Sequence, residues 1–150
     1  MTWYTLLKYI HVLLAITAVG SNITYAVWNA RAAAEPAHAV FALKGIAFID
    51  RRVANPAYGL LLITGLALVA VGQWGTRGWI VTSLILFVVL IVVAIGVYSR
   101  VVRRQIEVLE TEGQASAGYQ QLTRQAQIYG IVSIVIVLAI VFMMVVKPFP

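Results

Sequence analysis

The sequence predicts an all-α, polytopic membrane protein with four transmembrane helices in an up-down bundle. Three observations carry that prediction. Hydrophobic residues make up 62% of the chain and charged residues 11%, far from the balance of a soluble domain. The apolar residues gather into four runs, about 4–28, 54–73, 79–98 and 128–146, each close to the roughly 20 helical residues that cross a bilayer core. The third and fourth runs contain no charged residue at all. The 150 residues are expected to form one domain, 1–150.

The first span carries the least ordinary residues. On a helical wheel Tyr4, Lys8, His11, Ala15, Ala18, Asn22, Tyr25 and Asn29 share one face, and Leu6, Leu13, Ile16, Ile23 and Val27 lie opposite. Polar and small side chains thus form a stripe on a helix otherwise suited to lipid. A cleaved signal peptide is the weaker reading. Met1-Thr2 supplies no basic n-region, and Lys8 and His11 interrupt the apolar core, although Ala32-Ala33-Ala34 offers small residues for cleavage.

The first loop, about 30–53, is basic but not simply polar. Ala39, Val40, Phe41, Leu43, Ile46, Ala47, Phe48 and Ile49 predict a short helix, either lying in the interface or extending the second span. Asp50-Arg51-Arg52 reads as a charged collar with Asp50 pairing locally. Asn55-Pro56 looks like an N-cap followed by proline at the first helical position; a helix running through it should kink. In the second span Tyr58, Gly65 and Gly72 recur every seventh residue. They mark a groove for a neighbouring helix or a gap for a flat ligand.

Gln73 to Trp79 makes a tight turn. Trp3, Tyr4, Trp74 and Trp79 form an aromatic belt at one interface, and Trp28 and Tyr98 mark the other. Beyond Tyr98 a helical hairpin, about 99–127, is expected to project from the bilayer, broken at Gly113 to Gly118. Arg31, Lys44, Arg51 and Arg52 in the first loop match Arg100, Arg103, Arg104 and Arg124 in this one. That bias predicts cytoplasmic loops and both termini outside. The net charge of +6 follows from those collars, so a nucleic-acid partner is not implied. The partners expected are the lipid bilayer and a membrane protein, either another chain or a second copy.

Chemistry is confined to few residues. With no cysteine, disulfides, thiolate metal sites and covalent haem attachment are excluded. Neither a nucleophile–base pair nor a phosphate loop is visible, so a hydrolase or transferase site is not expected. Ionisable residues within a span are costly and usually functional, and the spans contain two: Lys8 and His11. Lys8 sits one turn from the border and can snorkel. His11 lies about 7 Å from the helix midpoint and cannot. It is read either as a satisfied core histidine or as a ligand to haem iron, another metal or a proton path. Ala15 and Ala18 clear space beside it and Asn22 continues the polar line. A flat macrocycle in that slot would use His11 as metal ligand, with Lys8 and Asn22 as further contacts. His38 is 27 positions away, roughly 40 Å along a helix, so the two histidines cannot share one iron.

Lys8-Tyr9-Ile10-His11, followed by Gly20, resembles the opening of a group of small bacterial membrane proteins. They include an uncharacterised four-helix integral membrane family and, more remotely, HemJ-type protoporphyrinogen oxidases and CopD-type copper-resistance proteins. The resemblance extends to Asp50-Arg51-Arg52, the proline after it, Thr64-Gly65 and Gly78-Trp79. The uncharacterised family implies a four-helix bundle of the bacterial inner membrane without an assigned reaction. HemJ-type enzymes imply haem b and porphyrinogen oxidation, with His11 as ligand. Where those enzymes carry His and Lys, this chain has Val81, Thr82 and Ser83. The CopD type implies copper handling. The expectation is an integral membrane protein without an assigned activity, read either as binding haem b or a related macrocycle at the first span through His11 or, nearly level with that, as an accessory subunit of a membrane complex; a HemJ-like oxidoreductase ranks below both.

Overall fold

A computed structural model describes residues 2–149. Among them all regular structure is helical, and four helices are long and apolar enough to cross a membrane.

The first, α1, runs Trp3–Ala34. Thr2 caps it, its hydroxyl accepting from the backbone N–H of Thr5 at 3.3 Å. Arg31 in the last turn complements the helix dipole and pairs with Glu35 at 2.8 Å. Pro36 then opens a 3-10 turn, Pro36–His38, a position where its missing N–H costs nothing.

The chain does not pause before the second span. Helix α2, Ala39–Ile49, passes through a π turn, Asp50–Ala54, into α3, Asn55–Val71. Asn55 has φ −63° and ψ −44°, so it lies inside the helix, not at its start. The N-cap reading of Asn55-Pro56 is thereby corrected. An internal proline removes one donor and crowds the carbonyl four residues back. Here the wider turn just upstream takes up that strain, as π bulges do. α2 is thus the early extension of the second span, not a separate helix lying flat.

Gln73 and Gly75 adopt positive φ in the turn that follows, which a left-handed conformation requires. Helix α4, Gly78–Ile91, continues through a second π turn, Val92–Tyr98, into α5, Ser99–Glu112. Gly113, at φ +82°, ends it. Ser116 caps α6, Ala117–Val146, by accepting from Tyr119 N–H at 3.2 Å.

Neighbours in the bundle are antiparallel. α1 packs on α3 and α6, and α4 packs on α6. α3 and α4 meet where Tyr58 and Phe87 stand edge to face, with centroids 6.4 Å apart. Large apolar side chains such as Ile23, Ile63, Ile85, Ile131 and Leu138 point outward, the surface a hydrocarbon solvent calls for.

The run Pro36–Val71 has 36 residues and Gly78–Glu112 has 35, over 50 Å each at 1.5 Å per residue against a core about 30 Å thick. Both project at the same end. There α2 packs against α1 and α5, and α5 against α6. Ala39, Leu43 and Ile46 are fully buried in this projecting part. α5 turns Val101, Val102, Gln105 and Leu109 inward. Lys44, which interrupts the apolar run of α2, reaches out to Glu110.

At the opposite end the indole N–H of Trp74 donates to the Tyr4 hydroxyl at 3.2 Å. Trp79 stands edge to face with Trp74 at 5.9 Å. Arg77 and Lys147 lie over the Trp74 ring at 4.9 and 4.8 Å, favourable cation–π distances. Tyr98 departs from the expected second belt. It is buried and stacks on Tyr25 at 5.7 Å, because the π turn rotates it into the bundle.

Candidate functional site

Helix packing turns the polar stripe of α1 inward. Ala18, Asn22 and Tyr25 are buried, and His11, Ala15 and Asn29 are half-buried. The opposite face, with Leu13, Ile16, Ile23 and Val27, is exposed. Burial separates the stripe into two polar groups with apolar packing between them.

The first group is centred on His11. Its Nδ1 lies 2.7 Å from the Thr64 hydroxyl of α3. That hydroxyl also lies 2.7 Å from the Leu60 carbonyl, which can only accept. The single hydroxyl proton therefore goes to Leu60, and the network assigns the ring proton to Nδ1. Nε2 keeps its lone pair. No protein group among the described residues bonds it, and it is not among the buried unpartnered atoms, so it reaches the molecular surface. Gly65 gives the ring its seat: a Cβ there would stand 3.2 Å from Cε1. The heptad glycine in α3 thus receives an imidazole.

The sequence-derived partners of His11 are placed differently. Lys8 is exposed one turn toward the N-terminus and belongs to none of the ion pairs among the described residues. Asn22 is eleven residues on, about 16 Å along the helix. Its amide N–H groups go to the Ala18 carbonyl at 3.0 Å and the Tyr58 hydroxyl at 2.8 Å. Asn22 therefore belongs to the second group, not beside His11. The space that Ala15 and Ala18 clear is closed by helix packing, with Ala18 only 3% exposed in a core shared with Leu61 of α3. At Ala18 the seam between α1 and α3 therefore holds no open slot. Two open cavities, about 280 and 170 Å³, lie toward the projecting end, and His11 lines neither. His38 is exposed near the first of them, with Nδ1 3.6 Å from Glu35.

The second group surrounds Asp50. The carboxyl does not pair with Arg51 or Arg52, which are exposed. It turns inward because the π turn directs it there, and it is 7% exposed. The Tyr25 hydroxyl of α1 donates to Oδ1 at 3.4 Å, and the Asn55 amide donates to Oδ2 at 3.5 Å. Ser99 Oγ of α5 lies 2.6 Å from Oδ2. Asn29 donates to the Tyr98 hydroxyl at 3.5 Å. Residues from three spans thus converge on one acid. Sequence reasoning missed Ser99, Tyr58 and Tyr98 as site residues because their partners are 36 to 69 positions away along the chain. The visible signal was the run Asn22, Tyr25, Asn29 on one face of α1.

No group of three or more His, Cys, Asp or Glu side chains capable of holding a metal ion occurs among the described residues. The fold and both polar groups define an integral membrane protein with polar side chains from different spans paired inside its bundle. The chain belongs to the family described as predicted integral membrane protein (DUF2269), whose model matches residues 5–148. No curated protein and no solved structure matches it.

Proposed function

We propose that this membrane protein binds haem b or a related macrocycle through His11 Nε2, on the outer surface of the α1–α3 seam. The observation that supports this is the bond from Nδ1 to Thr64. Metal-ligating histidines characteristically have their second nitrogen fixed by an outer partner, which sets the tautomer and aims the lone pair. A lone imidazole suits a macrocycle, which brings its own four donors. Lys8, one turn toward the membrane border, is placed to meet a propionate. Haem iron held there would supply electron transfer or small-ligand binding; the protein would supply an oriented imidazole nitrogen and an apolar surface. The charge bias of the projecting end, with Arg51, Arg52, Arg100, Arg103 and Arg104, supports an orientation with that end in the cytoplasm.

A visible spectrum of detergent-purified protein, expressed with ample haem, tests the reading. A Soret band that His11→Ala abolishes or strongly shifts is the expected result. Protein without such a band, or a band indifferent to His11→Ala, refutes it. The accessory-subunit reading draws on the loose meeting of α3 and α4, which leaves a seam for a partner helix; stoichiometric co-purification of a second chain would support it. Porphyrinogen oxidation of the HemJ type has less support. Val81, Thr82 and Ser83 include no ionisable side chain, and Ser83 is buried and donates to the Trp79 carbonyl at 2.7 Å.

A further inference from the structure

Asp50 is a buried acid whose hydrogen-bond partners are all neutral. Tyr25 comes from α1, Asn55 and Tyr58 from α3, Tyr98 from the second π turn and Ser99 from α5. The charged groups nearby are engaged elsewhere or exposed. Lys44 of α2 pairs with Glu110. Arg103 of α5 is exposed and its Nε donates to the Ser99 carbonyl at 3.2 Å; its charge reaches Asp50 and favours the carboxylate, but desolvation by burial outweighs it. Arg51 and Arg52, on the same π turn as Asp50, are exposed. Among the described residues no cation forms an ion pair with Asp50. Burying an ionised carboxylate without a counter-ion is strongly unfavourable, and such groups neutralise instead.

The proton count points the same way. Ser99 Oγ is 2.6 Å from Asp50 Oδ2 and 3.0 Å from the Ala94 carbonyl. A serine hydroxyl has one proton to donate, and a backbone carbonyl has none. Each contact has a proton of its own, with neither shared, when the proton between Asp50 and Ser99 belongs to Asp50.

We propose that Asp50 is a proton-binding site, holding a proton on Oδ2 at neutral pH and donating it to Ser99, which donates in turn to the Ala94 carbonyl. Tyr25 then donates to Oδ1, the carbonyl oxygen of the neutral acid. Release breaks the O–H bond at Oδ2 and passes the proton to water at the projecting end. The Ser99 hydroxyl then turns from Ala94 to the carboxylate. That rotation removes the side-chain bond across the π turn Val92–Tyr98 and leaves a charge on the π turn Asp50–Ala54. Both turns are irregular joints within long helices, a frequent setting for function. Protonation of one side chain thereby acts on both joints at once.

Infrared spectroscopy of the full chain in lipid nanodiscs tests this, with pH stepped from mildly acid to mildly alkaline. The expected result is a protonated-carboxyl carbonyl band, equivalent to one group per chain, that persists at neutral pH after the exposed glutamates have ionised. The band should shift in heavy water and disappear in Asp50→Asn. Ser99→Ala should move it to higher frequency, because the acid loses its acceptor, without reducing its area. The absence of a neutral-pH band from the wild-type protein overturns the proposal, as does a band that survives Asp50→Asn. Should Asp50→Asn fail to fold, the Ser99→Ala spectrum decides: a shifted band upholds the proposal and an unshifted one overturns it.

Discussion

Thr64→Val is the substitution that isolates the His11 anchor. Valine keeps the branched shape that α3 already accommodates and deletes only the hydroxyl. The Leu60 carbonyl loses a secondary donor but keeps its place in the helix ladder. His11 Nδ1–H loses its acceptor outright, at a depth where water cannot readily replace it. An orphaned donor of this kind costs about 1–3 kcal/mol in soluble proteins, whereas side-chain bonds between membrane helices average about 0.6 and reach about 1.7. The contact is short, 2.7 Å, and half-buried, which places the expected coupling near 1 kcal/mol, about fivefold in the unfolding equilibrium. A double-mutant cycle of Thr64→Val with His11→Leu, read by unfolding in mixed micelles, measures it. A coupling indistinguishable from zero would refute the assigned bond, and with it the fixed tautomer. If a macrocycle binds, the same variant should weaken its binding about 10–100-fold while His11 remains, as loss of an outer-shell partner does.

Further outcomes follow from the way the bundle is packed. Leu43→Ala, at a fully buried position of α2, should destabilise the protein by about 2–5 kcal/mol, whereas Leu13→Ala on the exposed face of α1 should stay within about 0.5 kcal/mol; equilibrium unfolding compares them. Glu110→Ala removes a pair whose members are 57% and 45% exposed, so its cost should be below about 1 kcal/mol and shrink further as salt is added.

Much of the bundle is legible in the sequence because lipid imposes a strong pattern. A run such as Trp79–Tyr98, with no charge in it, has few other homes. The stripe on α1 likewise identified its inward face, since polar side chains in a span turn to other helices. What it could not assign was the partner at each level. His11 and Asn22 share a face but meet Thr64 and Tyr58 at different depths. Asn55-Pro56 was misread for a local reason. The same dipeptide suits a helix start or a helix interior behind a widened turn, and only the packing of α2 on α1 and α5 selects the second. Asp50 was misread for a distant one. Arg51 and Arg52 are its neighbours in sequence, but the turn geometry sends the acid inward and leaves them outside.

The buried residues Ala39, Leu43 and Ile46 lie in the part of the protein that extends beyond the apolar spans. Between helices surrounded by lipid, burying a leucine gains little, because the tails are as apolar as the side chain. In the projecting part water is the alternative, and the hydrophobic effect operates. The bundle is therefore clasped from outside the bilayer. Its spans can be inserted one by one, yet the clasp closes only when α5 has emerged to cover α2, late in synthesis. Agents confined to the aqueous phase, which never touch the buried seams, should then loosen helices throughout the membrane.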